Sequence, residues 1–475
     1  MDNFIVYDVI FLIAFALFVS IFLYTRKHNL KREGLLFLYR AGWGIKLINK
    51  VGNKYKKTIK VLSYFSITTG YILMVTMFYM FGKIIYLYIA FPSVVKAIKI
   101  PPITPLIPYL PQVFKLDFLP PFYFTYWIII IAIIAISHEF SHGIFAAYDK
   151  IKIKSTGFGF FPFFLPVFLA AFVELDEKKM AKKKIHSQLS ILSAGTFANV
   201  LTAILFFGVI WIFFSLAFVP SGVVFDTYPY TLIGVSSITM INGINVQNLT
   251  YNNMADLMNN DTLNKITSEN NFLITKKSFA EQKGSDNIVV YYDAPAINAN
   301  LERIITKING KQLTSTDNLG KEISKYNPGE KVTLTLINKD GKEYNGDIIL
   351  GENPDTKKAW LGIGFNQRQQ SGVFGKFVSL LSSFKKDHVY YTQRFDGISV
   401  FIYNLLWWLA LISISVALVN MLPVGIFDGG RFFYLTILAI TKNEKIAKRA
   451  FAFSTYFILF LVFVLMVSWV WSSFF

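Results

Sequence analysis

The chain has 475 residues, of which 54% are hydrophobic, 17% aromatic and 16% charged, a balance that excludes an ordinary soluble enzyme and fits a membrane protein carrying a soluble part. It has no cysteine, so a disulfide framework, a thiolate metal ligand and a cysteine nucleophile are all excluded, and any metal must use histidine and carboxylate. The formal net charge of +18 sits largely in short loops beside apolar runs, so it reads as membrane topology and contact with anionic lipid, not as nucleic-acid binding.

The first apolar run, 4–24, lacks a basic leader and a small-residue cleavage site and reads as a retained helix. Residues 26–60 hold eleven Lys and Arg against one acid, Glu33, which makes this loop cytoplasmic and the N-terminus external. Leu35–Tyr39 and Trp43 within it predict an interfacial amphipathic stretch. A second run, 61–90, leads to an external connection with seven prolines from 101 to 121, which predicts extended or irregular chain.

The third run, 124–147, carries Ser137-His138-Glu139-Phe140-Ser141-His142. A helix sets residues i and i+4 on one face, so His138 and His142 can share one metal ion with Glu139 beside them as a general base. Counted from Phe124 at 1.5 Å per residue, the two imidazoles lie roughly 21–27 Å into a hydrocarbon core of about 30 Å, inside the membrane and nearer the cytoplasmic face. Lys150, Lys152 and Lys154 mark that face. The next apolar stretch, 157–173, is too short and too broken by Gly and Pro to span, and predicts a re-entrant segment. Residues 174–184 are charged, and the fourth run, 189–219, carries Asn199, placed to hydrogen-bond between helices or to serve the metal directly.

From 220 to 370 long apolar runs vanish and Asn, Thr, Lys, Asp and Gly rise, as expected of a soluble external insert. It contains an echo: Ile238-Thr239-Met240-Ile241-Asn242-Gly243 and Ile305-Thr306-Lys307-Ile308-Asn309-Gly310, each preceded by a β-rich run. Strand, I-N-G turn, a helix with Leu319 and Ile323, then strands such as Val332–Leu336 resemble a PDZ domain, a fold that captures extended peptides. Two tandem modules are expected, about 221–296 and 297–368, with one module carrying an insertion as the rival. Asn248-Leu249-Thr250 and Asn260-Asp261-Thr262 fit glycan acceptors. Residues 373–393 read as a basic amphipathic approach to a fifth run, 400–419, and a sixth, 450–471, ends the pattern. The third and fifth runs both point inward, so their C-terminal ends lie on the same side of the membrane.

Asn420-Met421-Leu422-Pro423-Val424-Gly425-Ile426-Phe427-Asp428-Gly429 extends from the fifth run. With the His-Glu-x-x-His run it resembles the paired motifs of the site-2 protease family, intramembrane zinc metalloproteases: Asn420, Pro423, Asp428 and Gly429 match N-x-x-P-x-x-x-x-D-G at every fixed position. Gly195 to Asn199 is similar to the family's Gly-Pro-x-x-Asn segment, with Thr196 in place of Pro. The resemblance implies a polytopic α-helical membrane protein of about six transmembrane helices with a membrane-dipping hairpin and an inserted α+β PDZ-like region. Its domains would be 1–123, a core formed by 124–219 and 371–475, and the insert 220–370. It implies one Zn²⁺ per chain on His138, His142 and Asp428, Glu139 as base, and Asn420 donating to the substrate carbonyl or oxyanion. Gly157, Phe158, Gly159 and Phe160, as a hairpin edge, and Asn199 would meet the substrate. The partners implied are transmembrane protein substrates and membrane lipids, in the cell membrane, with the PDZ-like region extracytoplasmic and docking or filtering substrates. The alternatives are a metal-binding transporter, which has no need of Glu139, and a catalytically inactive receptor or scaffold working through its PDZ-like region.

Overall fold

The computed structural model describes residues 2–474 apart from 34–35, 94, 96–100, 102–105, 117–118, 161–168, 248, 261, 283–285, 367–378 and 380–381. The chain forms two compact units, 1–212 with 400–475, and 213–399. Six helices among the described residues are long and apolar enough to cross a bilayer: α1 (Asp2–Thr25), α3 (Lys56–Ala90), α4 (Phe124–Tyr148), α5 (Ile185–Ala217), α7 (Asp396–Asn420) and α9 (Glu444–Phe474). They begin several residues before the apolar runs do in α3, α5, α7 and α9, because helical hydrogen bonding continues through polar residues such as Lys56, Lys57 and Lys60.

Within the first unit the N-terminal half of α4 packs Trp127, Ile130 and Ile134 against Trp408, Leu409 and Ile412 of α7, with Phe4, Leu12 and Phe15 of α1 alongside. Its C-terminal half, Phe145 and Ala146, joins a second core with α3, Ile191 and Ala194 of α5, and α8 (Asp428–Thr441). In lipid such contacts gain dispersion and shape fit rather than a hydrophobic drive, so close approach matters. Gly52 shows this in α2 (Ile45–Lys54): a Cβ there would lie 2.7 Å from Ala147 Cβ and 2.8 Å from the Ile144 carbonyl.

The basic loop divides differently from expectation. Leu36 to Tyr39 belong to a hairpin of β1 (Leu30–Glu33) and β2 (Leu36–Ala41), and α2 is the amphipathic helix, with Ile48 and Gly52 buried and Lys46, Lys50 and Lys54 exposed. This hairpin joins the two arms of the 157–173 segment, β3 (Ile153–Phe160) and β4 (Leu169–Leu175), in an antiparallel sheet ordered β1-β2-β3-β4. Residues 161–168, the centre of the predicted re-entrant stretch, lie outside the described residues, as do Pro102 and Pro105 of the proline-rich connection.

The second unit has two cores. One sheet has the order β6-β11-β10-β9-β7-β8: β6 (Tyr230–Gly234), β7 (Met240–Ile241), β8 (Ile244–Asn245), β9 (Leu263–Thr267), β10 (Asn271–Thr275) and β11 (Asn287–Tyr292). The other runs β15-β14-β12-β5-β18, from β5 (Phe218–Val224), β12 (Ile304–Ile308), β14 (Lys331–Ile337), β15 (Glu343–Ile349) and β18 (Val389–Gln393), with β13 (Lys311–Gln312) on β12. A two-stranded pair, β16 (Gly351–Glu352) and β17 (Ala359–Trp360), stands beside it, and α6 (Thr316–Ile323) is capped by Ser315, whose Oγ accepts the Asn318 N–H at 3.1 Å.

The division into 221–296 and 297–368 does not hold. Val223 and Phe225 share a core with Ala296, Ile305, Leu319 and Leu334, whereas Val235, Ile241, Met254, Ile266 and Ile288 form the other core. The segment 230–292 is therefore nested inside a module that starts at β5 and resumes after it. The physical reason is that β5 finds its partner in β12, Val223 opposite Ile305, across the nested segment. Residues 389–393 are a strand on β5, not an amphipathic approach, while 373–378 of that approach lie outside the described residues. Of the two glycan acceptor sites, Asn248 and Asp261 are also outside them.

Candidate metal centre

His138 and His142 face the same way from α4 because four residues make just over one helical turn. Both are buried. Their Nε2 atoms stand 3.0 Å apart. Asp428 Oδ2 lies 3.3 Å from the first and 3.2 Å from the second. Ligand atoms at 2.0–2.1 Å from a tetrahedral zinc stand about 3.3 Å apart, so this triangle has the size that such an ion requires. It is the group of three His or carboxylate side chains that could hold a metal among the described residues.

The other ring nitrogens decide whether the Nε2 lone pairs are free. His142 Nδ1–H donates to the Ile191 carbonyl at 2.6 Å, which in the neutral ring leaves Nε2 as the unprotonated atom. His138 Nδ1 lies 3.0 Å from the amide of Asn199, which is fully buried. With Nδ2 toward the ring, Asn199 Oδ1 has no partner. Amide orientation follows from the network, and turning the amide lets Oδ1 accept Nδ1–H, the tautomer that frees His138 Nε2 for a metal. Asn199 lines neither cavity at the centre; its amide stands against His138 Nδ1. Gly195 completes the wall: a Cβ there would lie 2.6 Å from His138 Nε2 and closer to His142 Nε2. Ile191, Gly195 and Asn199 are one stripe of α5 at four-residue spacing. The Gly195/Asn199 pair was visible in sequence; the Ile191 carbonyl was not, although the same period points to it.

Asp428 reaches the site through a broken chain. α7 ends at Asn420, residues 421–427 turn, and α8 begins at Asp428. Phe427 occupies the N-cap position, and the carboxylate of Asp428, the first residue of α8, meets both imidazoles. Gly429 permits the reversal, since a Cβ would come within 2.6 Å of the Leu422 carbonyl. Ser454 Oγ donates to the Pro423 carbonyl at 3.0 Å and ties the turn to α9.

Two cavities reach the centre. One of about 810 Å³ is lined by Glu139, His142 and Asp428 and opens among Arg40, Lys154, Glu174, Glu177 and Arg431. The other, about 370 Å³, is lined by His138, Glu139, Asn420 and Asp428 with apolar residues of α4 and α7. Glu139 borders both, and its Oε2 accepts the Val173 N–H of β4 at 2.9 Å. At the polar rim the Ser155 hydroxyl, at 2.7 Å, and then Arg40 and Lys154 hold the Glu174 carboxyl below its ordinary range.

Gly157, Phe158, Gly159 and Phe160 do not offer a free edge. They lie in β3, whose two neighbours consume both sides: Phe158 is opposite Tyr39 of β2 and Ala171 of β4. The sheet edge beside Glu139 is β4, and Ala170 and Ala171 line the smaller cavity.

Comparison with known proteins places the chain. Zinc metalloprotease RasP of Shouchella clausii is 24% identical over 180 residues, 32% of this chain and 42% of that protein. An uncharacterized protein of Methanocaldococcus jannaschii is 36% identical over 202 residues, 41% of this chain and 48% of its own length. The chain thus spans about half the length of these curated relatives. The PDZ domain of an SdrC-like protein from Listeria monocytogenes matches at 25% identity over 15% of this chain and 75% of that domain, with a TM-score of 0.14, too low to bear on the fold. The model of Peptidase family M50 matches residues 126–465, a range that holds His138, His142 and Asp428 together with α5, and the chain belongs to that family, which includes the site-2 proteases.

Proposed function

We propose that this integral, multi-pass membrane protein is a zinc metallopeptidase that hydrolyses peptide bonds within or near the transmembrane segments of membrane protein substrates. The observation that carries the reading is the triangle of His138 Nε2, His142 Nε2 and Asp428 Oδ2 with the Glu139 carboxylate beside it on two cavities. A zinc ion held there supplies Lewis acidity, lowering the pKa of a water and polarising a carbonyl. Glu139 takes a proton from the attacking water and returns it to the leaving amine. The Val173 N–H holds that carboxylate on the cavity side of α4. Asn420, on the wall of the smaller cavity, donates to the developing oxyanion.

A helical substrate keeps its carbonyls hydrogen-bonded and must be extended before attack. The edge of β4 suits this, because strand addition binds backbone without demanding a sequence. The larger cavity, with its charged rim, is the water route, and Lys154 and Lys178 on its lining favour the cytoplasmic side. The PDZ-like insert, nested rather than tandem, is extracytoplasmic in this reading and docks or filters substrates. A receptor or scaffold acting only through the insert has no use for a carboxylate next to three ligand atoms.

The test is zinc content and cleavage of a membrane-helix reporter by the purified chain, wild type beside Glu139→Gln. One zinc per chain in both, with cleavage lowered by about 10²–10⁴-fold in the variant, is expected for loss of a general base. A well-folded wild type without zinc, or a variant that cleaves as well as wild type, sinks the reading.

A further inference from the structure

Asp8 is an acidic side chain inside the first membrane span, where an ionisable group is costly and needs partners. It is 2% exposed, and its two oxygens meet four donors. Oδ2 accepts from Tyr109 Oη at 2.6 Å and from the Phe124 N–H at 2.7 Å. Oδ1 accepts from the Thr125 N–H at 2.9 Å and from Thr125 Oγ1 at 2.5 Å. Phe124 and Thr125 are the first two residues of α4, and helix-starting N–H groups have no acceptor within their own helix. Tyr123, at the N-cap position, gives no side-chain cap. The cap that a Ser or Asp just before a helix would provide comes here from α1, about 115 residues away in sequence, and its negative charge faces the positive end of the helix dipole.

The same carboxylate anchors the connection that covers the outer end of the helices. Trp127 Nε1–H donates to the Leu106 carbonyl at 2.9 Å and Trp408 Nε1–H to the Pro121 carbonyl at 3.1 Å. Leu106 lines the smaller cavity with His138, Glu139 and Asn420. Burial and Asp8 push the Tyr109 phenol up, so it remains a donor. α4 runs unbroken from this cap to the two histidines, so a slip or turn at its start is carried along the axis to them, whereas Asp428 is held separately by the turn after α7.

We propose that Asp8, on a helix outside the residues matched by the family, is a positioning residue for the metal centre: it sets the axial position and rotation of α4 and thereby the alignment of His138 and His142 with Asp428. The inference rests on the reading of those three residues as one ligand set.

The experiment uses the full chain, loaded with Co²⁺, whose visible spectrum reports ligand geometry without any need for substrate, and adds thermal melting and reporter cleavage. Asp8→Ala is expected to weaken Co²⁺ binding about tenfold or more, the range for losing a partner that orients a ligand, to change the visible bands, and to lower kcat more than KM rises. Asp8→Asn keeps one acceptor oxygen and should fall between Asp8→Ala and wild type. Thr125→Val and Tyr109→Phe each remove one donor and should shift the spectrum least. A folded Asp8→Ala with wild-type Co²⁺ affinity and spectrum overturns the proposal. If Asp8→Ala does not fold, Asp8→Asn decides in its place by the same two readings; if neither folds while Thr125→Val matches wild type in affinity and spectrum, Asp8 serves folding alone and the proposal also falls. A folded wild type that binds no Co²⁺ overturns the ligand set itself, which separates that failure from this one.

Discussion

Two stretches of chain meet at the metal centre, and they are built in different ways. α4 is one unbroken helix whose two histidines face together because of the backbone period alone. The stretch from Asn420 to Asp428 is two helices joined by a seven-residue turn, and nothing in a regular period brings its carboxylate to the imidazoles. Its geometry is set by contact: Gly429 lies against Met421 and Leu422, Gly430 against Val424, and Ser454 holds Pro423. The helix-borne half should therefore tolerate change on its far faces. The turn half depends on side chains that are absent, and there even one methyl group moves a ligand.

The comparison is broken most severely where a third helix, α5, presses against both imidazoles of the helix-borne half. Gly195→Ala would put a Cβ 2.6 Å from His138 Nε2, in the space where the ligand atoms converge. Metal analysis should find its zinc falling from one per chain to near none, while the helix itself persists, because Ala favours helix over Gly by about 1 kcal/mol. Full zinc in this variant would mean that the two helices separate easily and that the site is not preformed. Gly429→Ala strikes only the turn half. It is expected to weaken zinc by about 100-fold, the upper range for a disturbed ligand support, with His138 and His142 unmoved. An affinity equal to wild type would show that the turn is softer than its contacts suggest.

A smaller effect tests the helix half. Asn199→Ala should weaken zinc by about tenfold, and Asn199→Asp should stay close to wild type because it still accepts from His138 Nδ1. The reverse order would mean that the amide donates to the ring, against the tautomer a ligand needs. The smallest effect belongs to the rim. Glu174 has its folded pKa lowered, chiefly by Ser155 and then by Arg40 and Lys154, so its stabilisation is present above the ordinary carboxylate value of about 4.3 and is lost as pH falls through the lower folded one. For a part-exposed ion pair this amounts to about 0.5 kcal/mol. Melting curves from pH 7 to pH 3 should show wild type and Glu174→Gln converging at the acid end; a constant gap would deny the pair any role in holding β4.

Much of the site was legible because its strongest signals are local. Six apolar runs, a histidine pair at helical spacing and an Asp-Gly after a Pro-broken turn are properties of short windows. So are the two I-N-G turns, where Asn242 and Gly243 (φ 51° and 84°) repeat in Asn309 and Gly310 (φ 47° and 77°), the left-handed pair of a tight hairpin. Asn242 and Asn309 even accept equivalent backbone N–H groups, from Lys265 and Thr333. Sequence by itself therefore determined the membrane class, the ligand residues proposed and the pair of equivalent I-N-G turns.

Tertiary structure alone decided the rest, because it rests on pairings between distant segments that no local period encodes. An apolar stretch at 157–160 reads the same whether it lies at a sheet edge or inside one; the arrival of β2 from residues 36–41 made it an inner strand and left β4 as the edge beside Glu139. Val223 finds Ile305 across a complete module, so tandem became nested. Asp8 looks like a costly charge in an apolar run until the first N–H groups of α4 are placed around it. In each case the sequence named a residue's chemistry, and only the fold supplied the partner that chemistry required.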